Sequence, residues 1–456
     1  MRLIPVSILR RIRLFFIPER LFIISFAAII LSGALLLAQP FAVHGNPLNF
    51  IDALFTSTSA TCVTGLIVVD TATRFTVSGQ VIILILIQLG GLGIMTFSVA
   101  FFYLMARRLS MGNKGLLEAS FSQMPMQGMS GLLATIFSAT FIIEGIGALI
   151  LSARFAMDMP WQKAVYFGVF HAVSAFCNAG FSLFSDSLMG YQNDFVVIVT
   201  IGLLIILGGI GFVVLYELHT HRVRFKKLSL NTRIVLATTL FLVIFGFILI
   251  LLFESGNTLE HFSWPQKILH ALFQSVTTRT AGFNSLDIGH LSNATLFIII
   301  IFMYIGASPS STGGGIKTTT LATILAFICS RFKNQEHSQM FNRRLSGSAV
   351  SKAVAIVIFS SLTVIIFTTL LLFTELSGHS HQASRGMFME LLFEVTSAIA
   401  TVGLSTGITS HLTPTGRILI TLVMFIGRLG PLTTALAIGK KEPQKFKYVK
   451  EEILIG

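Results

Sequence analysis

Along this chain apolar runs and polar breaks follow one order four times: a long run, a short run, a strip of small residues, then a second long run. The long runs cover residues 21–38 and 81–104, 131–151 and 194–216, 234–253 and a stretch from about 291, then 349–373 and 417–438. Each approaches the roughly 20 apolar residues that a helix needs to cross the hydrocarbon core. The short runs, 47–62, 161–177, 265–278 and 387–400, cannot cross and return. They predict half-helices that enter the membrane and stop. Barrel strands would alternate over about 10 residues, a pattern that is missing here. The expected fold is an all-α integral membrane protein, with eight transmembrane helices in four units at 21–107, 130–217, 232–332 and 349–439. An N-terminal segment, 1–20, and a tail, 440–456, flank them.

The short runs all end in a Ser/Thr/Ala-rich strip closed by a single glycine and then Leu or Phe. The strips are Cys62-Val63-Thr64-Gly65, Asn178-Ala179-Gly180, Thr280-Ala281-Gly282 and Ala400-Thr401-Val402-Gly403. A second signature follows each one: Leu89-Gly90-Gly91, Leu207-Gly208-Gly209, Ile305-Gly306-Ala307 and Ile426-Gly427-Arg428. Two motifs in the same order, four times over, establish an internal repeat. Non-helical backbone at membrane depth survives only where protein or water covers it. Four equivalent strips are therefore expected to face one another around one axis, which makes a pore. Rings of backbone carbonyls replace the water shell of a cation, and glycine adopts the required backbone angles without steric cost. The half-helices would aim their partially negative C-terminal ends at the ion, and Asp52 and Glu394 within them would add negative potential.

Composition agrees. Of 456 residues, 54% are hydrophobic and 11% charged, against roughly 25% charged in soluble domains. The net charge of +13 does not imply nucleic acid, because Lys and Arg gather between the runs. The groups are Arg2, Arg10, Arg11, Arg13 and Arg20; Arg107, Arg108 and Lys114; Arg222, Arg224, Lys226 and Lys227; Arg331, Lys333, Arg343 and Arg344; and Lys440, Lys441, Lys445, Lys447 and Lys450. With eight spans all fall on one side, so both termini are expected in the cytoplasm. The basic N-terminus resembles a signal peptide, but the run behind it exceeds a usual signal core and reads as a first span. Cys62, Cys177 and Cys329 have no metal or redox spacing. No nucleophile, metal set or acid–base pair clusters within the spans, so no enzyme is expected.

The third unit departs from the others. Its second long run is broken by Gly306-Ala307-Ser308-Pro309-Ser310-Ser311-Thr312-Gly313-Gly314-Gly315-Ile316-Lys317. Pro and three consecutive Gly end a lipid-exposed helix, whereas the matching positions elsewhere are expected to continue as helix. The break is read as a gate below the strips, with Gly306, Ser310, Thr312, Gly313, Gly314, Gly315 and Lys317 as its residues. Its faint echo of a phosphate-binding loop lacks the spacing and the preceding strand. Arg428 stands inside an apolar run, where a charge costs at least about 2.5–3.5 kcal/mol; it would be an electrostatic barrier or an anchor for the gate. Lys317 is expected to be solvated, Arg279 to brace the third strip, and His171 to be a packed polar residue. Glu144 has no evident partner.

These strips resemble the Trk/Ktr/HKT superfamily of potassium transporters from about residue 21 to 439, and Arg279-Thr280-Ala281-Gly282-Phe283 carries the likeness most specifically. The resemblance implies four span–pore-loop–span units in one chain, with one glycine per filter strip. Glycine in all four implies K+ selectivity, whereas Ser in the first strip tends to favour Na+. The first unit begins near residue 21, without the two extra spans of Trk-type subunits, so the chain is most similar to Ktr membrane subunits. That likeness implies a homodimer in the bacterial plasma (inner) membrane lipid, resting on a cytoplasmic ring of nucleotide-binding regulatory subunits. ATP and ADP would act on the ring alone, Na+ would stimulate uptake, no covalent cofactor would be needed, and the broken third unit would obstruct the pore. The competing mechanism is an ion-coupled secondary transporter (K+/H+ or K+/Na+ symport), although such folds usually use inverted repeats.

Overall fold

The computed structural model describes residues 18–108, 129–221, 228–378, 380, 382 and 384–430. Residues 1–17, 109–128, 222–227 and 431–456, which hold most of the basic groups around Arg2, Lys114, Arg222 and Lys440 and both termini, lie outside the described residues. Helices come in four successive sets. The first holds α1 (Pro18–Leu37), α2 (Phe50–Thr61) and α3 (Val77–Arg108). The second holds α4 (Met129–Phe155), α5 (Trp161–Phe176), α6 (Phe195–Ile210) and α7 (Phe212–His221). Then come α8 (Leu230–Glu254), α9 (Trp264–Thr277), α10 (Asn293–Tyr304) and α11 (Thr318–Phe332), and last α12 (Gly347–Leu376), α13 (Met387–Ala400) and α14 (Pro414–Leu429). A two-residue hairpin, Gln339–Met340 against Arg343–Arg344, is the one sheet among the described residues.

Side-chain caps fix several helix starts. Asp194, Ser229, Ser292, Ser346 and Thr413 each accept a hydrogen bond from a first-turn backbone N–H of α6, α8, α10, α12 and α14, and α9 opens with a Ser263–Gln266 capping box. Among the described residues α4, α8 and α12 are long and apolar enough to cross a membrane, and α6 with α7 qualifies as a bent pair. Their apolar side chains also point outward: Leu149 is 72% exposed, Leu240 62% and Phe373 72%. Such faces suit lipid rather than water.

The buried clusters sit at the joints between sets. Val63 and Ala53 pack with Phe170 and Ala179, Phe176 and Ala172 with Phe273 and Phe283, Ile299 and Met303 with Phe393 and Val402, and Phe55 and Cys62 with Ile399 and Met424. First meets second, second meets third, third meets fourth, and fourth meets first.

Two expectations about continuity fail. The run 194–216 is not one helix: α6 stops at Ile210, Gly211 takes φ 102°, and α7 leaves at 94°. The last run is interrupted as well, with α14 ending at Leu429 before Gly430 at φ 86°, and residues 431–438 lie outside the described residues. Glycine permits both turns, and hydropathy does not register them because the flanks are apolar on either side. Only α3 runs on unbroken past its glycines. The third set is still distinct, since residues 305–317 separate α10 from α11.

Candidate functional site

All four short helices end in the same backbone turn. The residue two before each strip glycine is left-handed: Val63 at φ 55°, Asn178 at 59°, Thr280 at 68° and Thr401 at 51°. The glycines follow at 95°, 70°, 77° and 90°. A β-branched residue at positive φ is an outlier, costing about 1–3 kcal/mol, and such strain gathers at functional sites. Here three of four are β-branched. Alternating left-handed and ordinary residues turns successive carbonyls to one side.

The strips touch in a closed cycle. A Cβ on Gly65 would come within 3.0 Å of the Ala179 carbonyl, one on Gly180 would meet that of Ala281, one on Gly282 that of Val402, and one on Gly403 that of Thr64. The glycine of each strip therefore lies against the middle carbonyl of the next, and the cycle closes from the fourth strip to the first. All of Cys62, Val63, Thr64, Asn178, Ala179, Thr280, Ala281, Ala400, Thr401 and Val402 are buried, and the Asn178 side-chain amide lies 3.2 Å from Thr280 Oγ1, tying the second strip to the third.

Hydroxyls inside the helices hold the strips, a role the sequence did not disclose. Ser59 Oγ accepts from Gly65 N–H at 3.0 Å, and Ser397 Oγ from Gly403 N–H at 3.0 Å. Ser174 donates to the Phe181 carbonyl at 2.7 Å, and Thr277 to that of Phe283 at 2.5 Å. The signal was present: Ser stands six residues before the strip glycine in three of four copies. The second signature also acquires a physical reason. A Cβ on Gly90, Gly208 or Gly427 would strike the carbonyl of Thr61, Phe176 or Ile399, the last turns of the short helices. Gly427→Ala is expected to cost about 1–3 kcal/mol by overpacking, read as a lower thermal-unfolding midpoint in detergent. Gly93→Ala, where an added Cβ would meet nothing within 4 Å among the described residues, should bring no such loss.

The 305–317 segment lies directly against the strips. Gly313 abuts the Thr280 side chain, Gly314 that of Thr401, and Gly315, at φ 69°, lies against Gly306. Ser310, left-handed at 62°, accepts from Phe212 N–H at 2.8 Å. Ser308 and Thr312 donate backbone N–H to the Gly209 and Gly208 carbonyls at 3.1 and 3.3 Å, and Thr312 Oγ1 donates to Phe176 O at 3.2 Å. The break at Gly211 thus opens α6 and α7 to receive the loop.

Arg428, 7% exposed, donates from Nη1 to the Thr312 carbonyl and from Nη2 to that of Gly90. One guanidinium links the loop of the third set to α14 and α3. Lys317 is not simply solvated: its ammonium donates to Gly313 O at 2.6 Å, stapling its own loop. Arg279 shows no hydrogen-bonding brace at its buried Nε, which has no partner among the described residues. Asp52 forms an ion pair with Arg417 at 2.6 Å, which cancels most of its expected potential. Glu144 does have partners: Gln88 Nε2 at 3.3 Å and Cys177 Sγ at 3.8 Å. His171 is fully buried, with Nδ1 2.7 Å from Phe167 O and Nε2 3.0 Å from Ser182 Oγ. All three cysteines are free.

Apolar helices long enough to cross a membrane, around a buried polar centre, define a multi-pass membrane protein. The family model of TrkH, described as a cation transport protein, matches residues 17–449, and the chain belongs to that family. It is 40% identical over 97% of its length to the Ktr system potassium uptake protein B of Bacillus subtilis, covering 97% of that protein. Against the protein of the same name from Vibrio alginolyticus, identity is 38% over 96% of this chain and 94% of the relative. The potassium/sodium uptake protein NtpJ of Enterococcus hirae is 36% identical over 98% of this chain and 99% of its own. The fold is similar to the crystal structure of the potassium transporter TrkH from Vibrio parahaemolyticus, with TM-score 0.73, 17% identity, and coverage of 92% and 85% of the two chains.

Proposed function

We propose that the chain is the potassium-translocating subunit of a cation uptake system. Its four sets form eight spans and four pore loops around one pseudo-fourfold axis, with unit boundaries at 21–107, 130–217, 232–332 and 349–439. The strips ending at Gly65, Gly180, Gly282 and Gly403 are its K+ selectivity filter, and the 305–317 loop with Arg428 is its gate. The observation that carries this reading is the closed cycle of left-handed strips, in which each glycine makes room for its neighbour's carbonyl. Neutral carbonyl dipoles at such spacing replace the water shell of a cation.

The names of the relatives support K+ as cargo, and that of the Enterococcus protein supports a link to Na+. A Ktr-like system also supports a homodimer on a cytoplasmic ring of nucleotide-binding subunits, with both termini on the side of that ring in the inner membrane. ATP and ADP would act there and not on this chain. The test is K+ and Na+ uptake by potassium-uptake-deficient cells expressing the chain with and without a Ktr regulatory subunit. Saturable K+ uptake that depends on the second subunit is expected. Uptake of neither ion with both subunits present, or K+ uptake strictly tied to proton entry, would overturn the reading.

A further inference from the structure

A cavity of about 380 Å³ lies between α3, α4 and α5. Its wall includes the apolar Ile85, Phe141 and Val173, and its polar lining is Glu144 and Gln88. Ile85 and Phe141 are exposed on the outside of their helices, so the cavity opens sideways, toward lipid. About 16 Å of helix, at 1.5 Å per residue, separates Glu144 from the end of α4 at Phe155. The first helices of the other sets, α1, α8 and α12, carry their charged residues within two turns of an end. Glu144 accepts from Gln88 Nε2 at 3.3 Å and from the weakly donating Cys177 Sγ at 3.8 Å. A carboxylate has about four acceptor sites, so capacity is left on a group that lines the cavity.

An acid at membrane depth is costly and ordinarily pairs with a cation. No Lys, Arg or His forms an ion pair with Glu144 among the described residues. We propose that this cavity binds a small lipid-soluble amine, its ammonium on Glu144 and its apolar body against Ile85, Phe141 and Val173. Charge complementarity selects the occupant, because an acyl chain would fill the walls and leave the acid unpaired. The amine of a lipid headgroup would have to sink about halfway through a hydrocarbon core of ~30 Å, so a free amphiphile fits better. A neutral amine that reaches a protonated carboxyl takes its proton, and an ammonium that reaches a carboxylate needs none; both give the same ion pair. A buried pair holds when further hydrogen bonds satisfy it, and Gln88 supplies one to the carboxylate. Cys177, whose thiol lies 3.6 Å from Gln88 Oε1 as well as against Glu144, immediately precedes the second strip. It has little slack, since a Cβ on Gly91 would come within 2.7 Å of its Sγ. An ammonium that turns the carboxylate toward the cavity withdraws it from Cys177 and loosens the head of Asn178-Ala179-Gly180. Occupancy therefore slows K+ passage; that effect rests on reading the strips as the filter, whereas the binding does not.

The test uses the full chain in phosphatidylcholine nanodiscs, with binding of radiolabelled octylamine measured above that of empty nanodiscs. Wild type should bind it saturably; unlabelled octylamine should displace it and octanol should not. Glu144→Gln keeps the shape of the side chain without its charge, and should bind about tenfold or more weakly. Gly145→Leu fills the cavity that Gly145 lines, at a position where an added Cβ would meet nothing within 4 Å among the described residues. The same loss is expected there, which keeps the test decisive should Glu144→Gln fail to fold. No saturable binding by wild type, binding retained in either variant, or displacement by octanol as readily as by octylamine overturns the site. In Rb+ uptake assays octylamine should slow wild type and spare Gly145→Leu; equal inhibition of both, or none of wild type, overturns the coupling to the second strip. Gly65→Ser tests the strips apart from the cavity. Loss of its alkali-cation preference, beside unaltered octylamine binding in Glu144→Gln, sinks the site and leaves the filter standing. An unchanged preference in Gly65→Ser, beside binding that needs the Glu144 charge, sinks the filter and leaves the site.

Discussion

Gly65→Ser should reduce the preference of uptake for K+ over Na+ by about tenfold or more. Two effects act together at this position. The residue sits at φ 95°, where an L side chain is strained, and its Cβ would collide with the Ala179 carbonyl and the Gly180 Cα of the next strip. Neither neighbour has a flexible end that could swing aside, so the backbone must move. A carbonyl cage distinguishes the two ions by the number and field of its dipoles, and in the proposed filter the displaced carbonyl belongs to that cage. Gly403 has the same tight contact, on the Thr64 carbonyl, whereas the contact of Gly180 with Ala281 O is looser at 2.8 Å. Selectivity should therefore fall most for Gly65 and Gly403 and least for Gly180. Competition of K+, Rb+ and Na+ in uptake assays reads this order, and unchanged selectivity in Gly65→Ser would take the first strip out of the ion path.

The second large effect concerns Arg428. Replacement by Gln removes both charge-assisted bonds that tie the Thr312 carbonyl to the Gly90 carbonyl. Bonds to charged groups contribute about 1.5–3 kcal/mol each. Even one of them lost from the closed position alone would shift the loop equilibrium by about tenfold. Maximal uptake should rise, and its dependence on a regulatory subunit should weaken. Arg428→Lys separates anchor from barrier. Lysine keeps the charge but presents one ammonium in place of a fork reaching two carbonyls. An anchor makes the Lys variant resemble Gln; an electrostatic barrier makes it resemble wild type. Lower uptake in both variants, with the folded protein intact, would contradict the anchor.

Much of this was legible in the sequence, for reasons particular residues make plain. Gly65, Gly180, Gly282 and Gly403 stand out because small residues seldom interrupt apolar runs in step. The short helices were readable to within a few residues, Met387–Ala400 to the residue. The Gly211 and Gly430 turns were hidden, since a left-handed glycine between apolar flanks leaves hydropathy unchanged. Ser59 and Ser397 were hidden differently: each is one hydroxyl in a Ser/Thr/Ala-rich run, where composition does not show which hydroxyl reaches the strip. The partners of Arg428 lie 116 and 338 residues away, and no local pattern records contacts at such range. At Arg279 a charge next to a strip invites a bracing role, yet its buried Nε has no hydrogen-bond partner among the described residues. Glu394 was visible only as a negative charge; its unpaired Oε2 is a property of the packed loop.

The most direct test of the filter is to locate the ion. Crystals of the full chain grown in RbCl, with anomalous data collected at the rubidium edge, would show where a K+ substitute rests. A peak ringed by the Thr64, Ala179, Ala281 and Val402 carbonyls is the expected result, displaced or weakened when NaCl replaces RbCl. A protein that transports Rb+ yet shows no peak among the four strips, with density instead beside a buried acid such as Glu144, would contradict it.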